Sequence, residues 1–199
     1  MPQPLPDPLM LLYRPSLVTV IVGPTGSGKT KTLTNLSAAT PRQMRYVTST
    51  ALLRLSDDAL TAVLASTGDQ VIESLTVPPY GDGIRRACAI IENVNGVTPN
   101  SVILIDDIET TMHPILTRAI TQYVLGQATA VNAPTFFVTH SLLVLDSVLD
   151  FFPPQGANVS LLKMSQQLPY EVINEVRLRC LRSPCTDVRL DIEPVKSCC

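Results

Sequence analysis

Six residues without a charge, Leu17-Val18-Thr19-Val20-Ile21-Val22, run directly into Gly23-Pro24-Thr25-Gly26-Ser27-Gly28-Lys29-Thr30. The first stretch is short, apolar and rich in β-branched residues, which is how a buried strand reads. The second meets the pattern Gly-x-x-x-x-Gly-Lys-[Ser/Thr] at Gly23, Gly28, Lys29 and Thr30, and a helix-compatible stretch follows to Ala39 before Pro41 stops it. Strand, glycine-rich turn and helix together wrap main-chain N–H groups around a phosphate. The glycines allow the tight turn, and the helix start adds partial positive charge. Lys29 then reaches the β- and γ-phosphate oxygens of a nucleotide, and the Thr30 hydroxyl ligates Mg²⁺. A glycine-rich turn without a ligand would leave Lys29 with no reason to sit there.

The rest of the chain continues the same alternation. Met44 to Thr48 reads as a second strand, so strand, helix and strand imply a parallel α/β unit. The spacing of Leu60, Val63, Leu64, Val71, Ile72 and Leu75 suggests two helices after Ser56, divided near Gly68-Asp69 and ended by Pro78-Pro79. A helix is expected over Ile84 to Asn93. Ser101 to Ile105 follows as the most hydrophobic strand, its lack of alternation marking burial on both faces. Pro114 to Ala130 carries a helical pattern, Thr135 to Thr139 a core strand, and Leu142 to Leu149 another helix. Beyond Pro153-Pro154 the pattern alternates, in Val159 to Met164 and again in Val176 to Leu181, as in edge or antiparallel strands. The fold class expected is α/β: a single three-layer domain over 1–199 with a mostly parallel central sheet. Residues 1–16 form an irregular proline-rich start, and 155–199 a short β-rich C-terminal part.

A phosphate-binding loop needs a second acidic element to hold the magnesium shell. Val102-Ile103-Leu104-Ile105-Asp106-Asp107 supplies one at the C-terminal end of a core strand, where ligands bind in open α/β sheets. Asp106 is the magnesium-side carboxylate, and Asp107 or Glu109 is placed to orient or deprotonate an attacking water. An Asp-Asp pair at a strand end otherwise reads as a turn or helix cap. His140 follows the strand at Thr135 to Thr139, so a third strand end delivers a polar group to the same edge. A neutral imidazole there can hydrogen-bond the γ-phosphate or the water. His113, before Pro114, is equally well a loop-packing residue.

Charge and composition narrow the partners. A net charge of −2 gives no global basic footprint for nucleic acid. Arg177, Arg179, Arg182 and Arg189 permit local binding, although arginines alternating along a strand face are more often simply solvated. The apolar runs fall far short of the ~20 residues that span a bilayer, and the proline-rich start does not read as a secretory signal. A cytoplasmic location is expected. Five cysteines, Cys88, Cys180, Cys185, Cys198 and Cys199, include no Cys-x-x-Cys spacing and favour reduced thiols over a metal site.

Four blocks in this order resemble the ABC-type ATPase heads of the RecF/SMC/OLD branch, the AAA-type ATP-binding proteins common in bacteria and phages. They are Gly23 to Thr30, Val77 to Arg86, Ile103 to Pro114, and Phe136 to Ser141, spanning positions 17 to about 150. The resemblance implies ATP and Mg²⁺ as ligands and His140 as the switch histidine. It places Tyr80, Gly81, Asp82 and Gly83 in the signature segment, which contacts the γ-phosphate of ATP bound by a second subunit. Two heads would then sandwich ATP in a homodimer or higher oligomer that controls a separate effector, in genome maintenance or phage defence. Pro79 and Tyr80 stand where members of the family often carry serine, and Asp107 stands where glutamate is usual, which implies slow turnover. About fifty residues between Thr30 and Tyr80 leave no room for a long coiled-coil arm, and the β-subdomain before the loop is curtailed, with Tyr13 the candidate to stack on adenine. Two other readings stay open: a nucleotide-gated binding module with negligible hydrolysis, and a DNA motor or helper ATPase. Guanine-reading Asn-Lys-x-Asp is not seen.

Overall fold

The computed structural model describes residues 17–39, 43–65, 80–152, 158–165 and 171–174. Eleven elements alternate along them: β1 (Val18–Val22), α1 (Lys29–Ala39), β2 (Gln43–Val47), α2 (Asp57–Ala65), α3 (Asp82–Val94), β3 (Ser101–Asp106), α4 (Pro114–Val131), β4 (Thr135–Val138), α5 (Leu142–Phe151), β5 (Val159–Lys163) and β6 (Glu171–Asn174). They build one six-stranded sheet in the order β2-β3-β4-β1-β5-β6. All neighbours run parallel except β5 and β6. β1, which leads into the glycine-rich loop, therefore lies inside the sheet between β4 and β5.

Successive side chains of a strand point to opposite faces, and the sheet uses both. Val18, Val20, Ile103, Ile105, Phe137 and Leu161 face the helices that carry Leu60, Ile90, Ile91, Ile120, Val124 and Val148. Ile21, Val102, Leu104, Phe136, Val138 and Leu162 face Leu33 and Leu36 of α1. Three layers result, as expected. Fully burying an isoleucine such as Ile90 or Ile91 contributes about 1.5–3 kcal/mol, and both are 0% exposed.

The expected helices and strands over the described residues are present, with ends shifted by one or two positions. Asp57–Ala65 is the first of the two helices expected after Ser56; the second, and the strand expected at Val176 to Leu181, lie outside the described residues. β5 pairs antiparallel with β6, as one of the two expected arrangements, but it is not an edge strand. It is an inner strand, parallel to β1 through Val18↔Val159 to Val22↔Lys163, and antiparallel only to β6. Its alternation misleads because Ser160 sits on a buried face, where its hydroxyl is 3.1 Å from that of Thr19 and the two satisfy each other. Among the described residues no helix is long and apolar enough to cross a membrane. Cys88 is buried on α3; the other four cysteines and Arg177 to Arg189 lie outside the described residues.

Candidate nucleotide site at the C-terminal edge of the sheet

Where β1 ends, the chain passes under Met164: a side chain on Gly23 would meet the Met164 carbonyl oxygen at 2.5 Å, so only glycine fits. The Ser27 N–H bonds the Pro24 carbonyl at 3.2 Å to close the loop, and Thr25 and Gly26 form its exposed crest. Gly28 takes φ 91°, and α1 starts on the next residue. Lys29 is 6% exposed, and its ammonium donates to the carbonyls of Gly23 and Pro24 at 2.8 and 3.0 Å. Burial lowers its pKa, against the opposing pull of Asp107, Asp106 and Glu109. One turn of the loop thus holds a cation next to three carboxylates.

β3 and the turn that follows it deliver those carboxylates. The Thr30 hydroxyl donates to the Asp106 carboxylate, 3.2 Å from Oδ1 and 3.1 Å from Oδ2. Burial raises the Asp106 pKa, and the Thr30 hydrogen bond partly opposes the rise. Immediately afterwards Asp107 turns into the left-handed region at φ 46°, and the Thr110 N–H bonds its carbonyl at 3.0 Å. His140 Nε2 lies 3.9 Å from Asp107 Oδ1. Asp107 Oδ1 and Ser27 Oγ are buried without a hydrogen-bond partner. Buried polar atoms without partners are costly. Two of them around a lysine, a threonine and an aspartate fit a ligand that carries phosphate oxygens and a hard cation. The donor set suits magnesium, which prefers oxygen ligands and is usually held by one or two carboxylates plus phosphates.

The remaining expected residues divide. Glu109 accepts from the Thr139 hydroxyl at 2.8 Å and from the His140 N–H at 2.7 Å, so its carboxylate faces the β4–α5 junction. His113 is the N-cap of α4, and its Nδ1 accepts from the Ile115 N–H at 3.3 Å, the loop role. Tyr80 is 6% exposed, and its hydroxyl is 2.6 Å from that of Thr61, so the ring serves the core. The surface at this point belongs to Gly81, the N-cap of α3, and to exposed Asp82. Gly83 packs on the turn after β3: a Cβ there would meet the Thr111 carbonyl oxygen at 2.6 Å.

Arg86 is a structural residue that the motif pattern does not single out. It is 0% exposed, and its guanidinium donates to the carbonyls of Thr48, of Ala51 at 3.1 Å, of Asp106 at 2.7 Å and of Asp107 at 3.5 Å. Burial lowers its pKa, countered by Asp106, Asp107 and Glu109, and a guanidinium stays charged regardless. Arg86 ties α3 to the ends of β2 and β3. The sequence signal is an arginine inside the apolar stripe made by Ala87, Ile90, Ile91 and Val94.

No protein-family model and no curated protein sequence matches the chain. Solved structures do. The CbiO1 protein of Clostridium perfringens, part of the ABC transporter complex CbiONQ, aligns with a TM-score of 0.55 at 15% identity, covering 83% of this chain and 80% of that one. A putative metal-chelate type ABC transporter in an inward-facing conformation aligns with a TM-score of 0.49 at 13% identity over 79% and 72% of the two chains. At such identities the likeness to CbiO1 concerns the fold. The chain thus shares with CbiO1 an α/β fold with a mostly parallel six-stranded sheet, and its glycine-rich loop follows β1 as in a P-loop fold.

Proposed function

We propose that the chain binds and hydrolyses ATP, and that ATP-dependent association of two copies controls a separate effector. The observation that carries this reading is the contact of the Thr30 hydroxyl with both Asp106 oxygens, next to buried Lys29. It unites the loop of β1 with the acidic end of β3, two strands that are not adjacent in the sheet. In this reading Gly23 to Thr30 cradle the β- and γ-phosphates through main-chain N–H groups and Lys29. Thr30 and Asp106 hold magnesium, which when bound neutralises charge on the phosphate oxygens. Asp107 orients the water and accepts its proton, and His140 supplies a hydrogen bond to a γ-phosphate oxygen. Gly81, Asp82 and Gly83 present the N-terminus of α3 to the nucleotide of a second copy.

Phosphate release with Mg-ATP, measured beside sedimentation with and without nucleotide, tests the proposal. Turnover is expected together with ATP-dependent association, and Lys29→Ala is expected to reduce turnover on the order of a hundredfold. Turnover without association would remove the two-copy model. Association without turnover would make the chain a nucleotide-gated binding module, and stimulation by DNA would favour the helper reading.

A further inference from the structure

The ladder between β3 and β4 ends at Asp106↔Val138, one residue short of Asp107 and two short of His140. Beyond that point the two chain segments are joined by a side chain. Glu109 Oε2 accepts from the Thr139 hydroxyl at 2.8 Å, and Oε1 accepts from the His140 main-chain N–H at 2.7 Å, across 31 residues of sequence. The Thr139 hydroxyl also accepts from the Ser141 N–H at 2.9 Å, and Ser141 is the N-cap of α5. Thr139 is 0% exposed. Short hydrogen bonds to an ionised carboxylate are among the stronger ones a protein makes.

Sequence alone leaves the attacking water to either Asp107 or Glu109. We infer that Glu109 is a positioning residue: its carboxylate holds the His140 backbone so that the imidazole stands beside Asp107, and it does not act as the base. The inference rests on the ATPase reading above and assigns roles within it. Both Glu109 oxygens already accept hydrogen bonds, so turning either toward water would release the β4–α5 junction. Asp107 differs: its buried Oδ1 has no hydrogen-bond partner and lies 3.9 Å from His140 Nε2.

Glu109→Gln and Glu109→Ala separate the two roles. Glutamine keeps the side-chain length and one carbonyl acceptor for the His140 N–H but has no basicity. For a positioning residue, Glu109→Ala lowers kcat about tenfold, as loss of an orienting partner typically does, while KM moves by less than about twofold. Glu109→Gln recovers most of that loss, and Glu109→Ala combined with His140→Ala is no slower than His140→Ala alone. A base would be lost equally in both single variants. In nucleotide-free protein, amide hydrogen exchange at His140 is expected to accelerate about tenfold in Glu109→Ala and less in Glu109→Gln. Equal inactivity of the two single variants, or unchanged exchange at His140 in Glu109→Ala, overturns the assignment. Absent turnover in the wild type would defeat the ATPase reading instead, and the exchange rates would still decide whether Glu109 holds His140.

Discussion

At Asp107 the backbone bears on the side chain chosen. Its φ of 46° lies in the left-handed region, which aspartate and asparagine tolerate better than longer residues. The position that usually carries glutamate in the resembling heads is here a shorter acid on a turn that suits it. Asp107→Glu is expected to raise turnover roughly tenfold by extending the carboxylate toward the water, and to cost about 1 kcal/mol of stability in urea unfolding. An unchanged steady-state rate would show that side-chain length does not limit the reaction. The structure brings together Gly23, Lys29, Thr30 and Asp106, which the sequence pattern groups by fixed spacing and by position at a strand end. The partner of Glu109 was not legible from the chain, because 31 residues separate it from His140 and no local pattern records which strand ends meet.

Among the elements, α3 joins its exposed start at Gly81 and Asp82 to the acidic turn after β3. Two glycines two residues apart at its start differ sharply in surroundings. Nothing lies within 4 Å of a Cβ built on Gly81, whereas one on Gly83 meets the Thr111 carbonyl oxygen at 2.6 Å. Gly83→Ala is therefore expected to destabilise by about 1–3 kcal/mol, the usual cost of forcing atoms into a packed contact. Gly81→Ala should stay within about 0.5 kcal/mol. Thermal melts of the two variants check the contrast; equal shifts would mean that α3 and the turn are free to separate. The helices and inner strands of this region were readable from apolar spacing, and Arg86 was not. A charge on the apolar stripe of a helix has no meaning until the free carbonyls at the ends of β2 and β3 are placed around it.

For the whole molecule, alkaline pH probes the core through Cys88. Burial, followed by the nearby Glu92 charge, pushes its thiol from 9.0 to about 12. A raised folded-state value contributes stability that is complete below the unfolded value of 9.0 and is lost as pH rises toward about 12. Tyr46 and Tyr123, both raised chiefly by burial, add to the same trend at higher pH. Chemical denaturation at rising pH should show stability falling from about pH 9, with a shallower slope for Cys88→Ala; an equal slope would assign the alkaline loss to other groups. The topology has one further consequence. Five strands run the same way, so α1, α4 and α5 all begin at the edge where β1, β3 and β4 stop. Each helix start exposes N–H groups with a fractional positive charge. That edge is the positive pole of the peptide dipoles and also the seat of the three acids, a polarity written into chain direction that no single substitution can reverse.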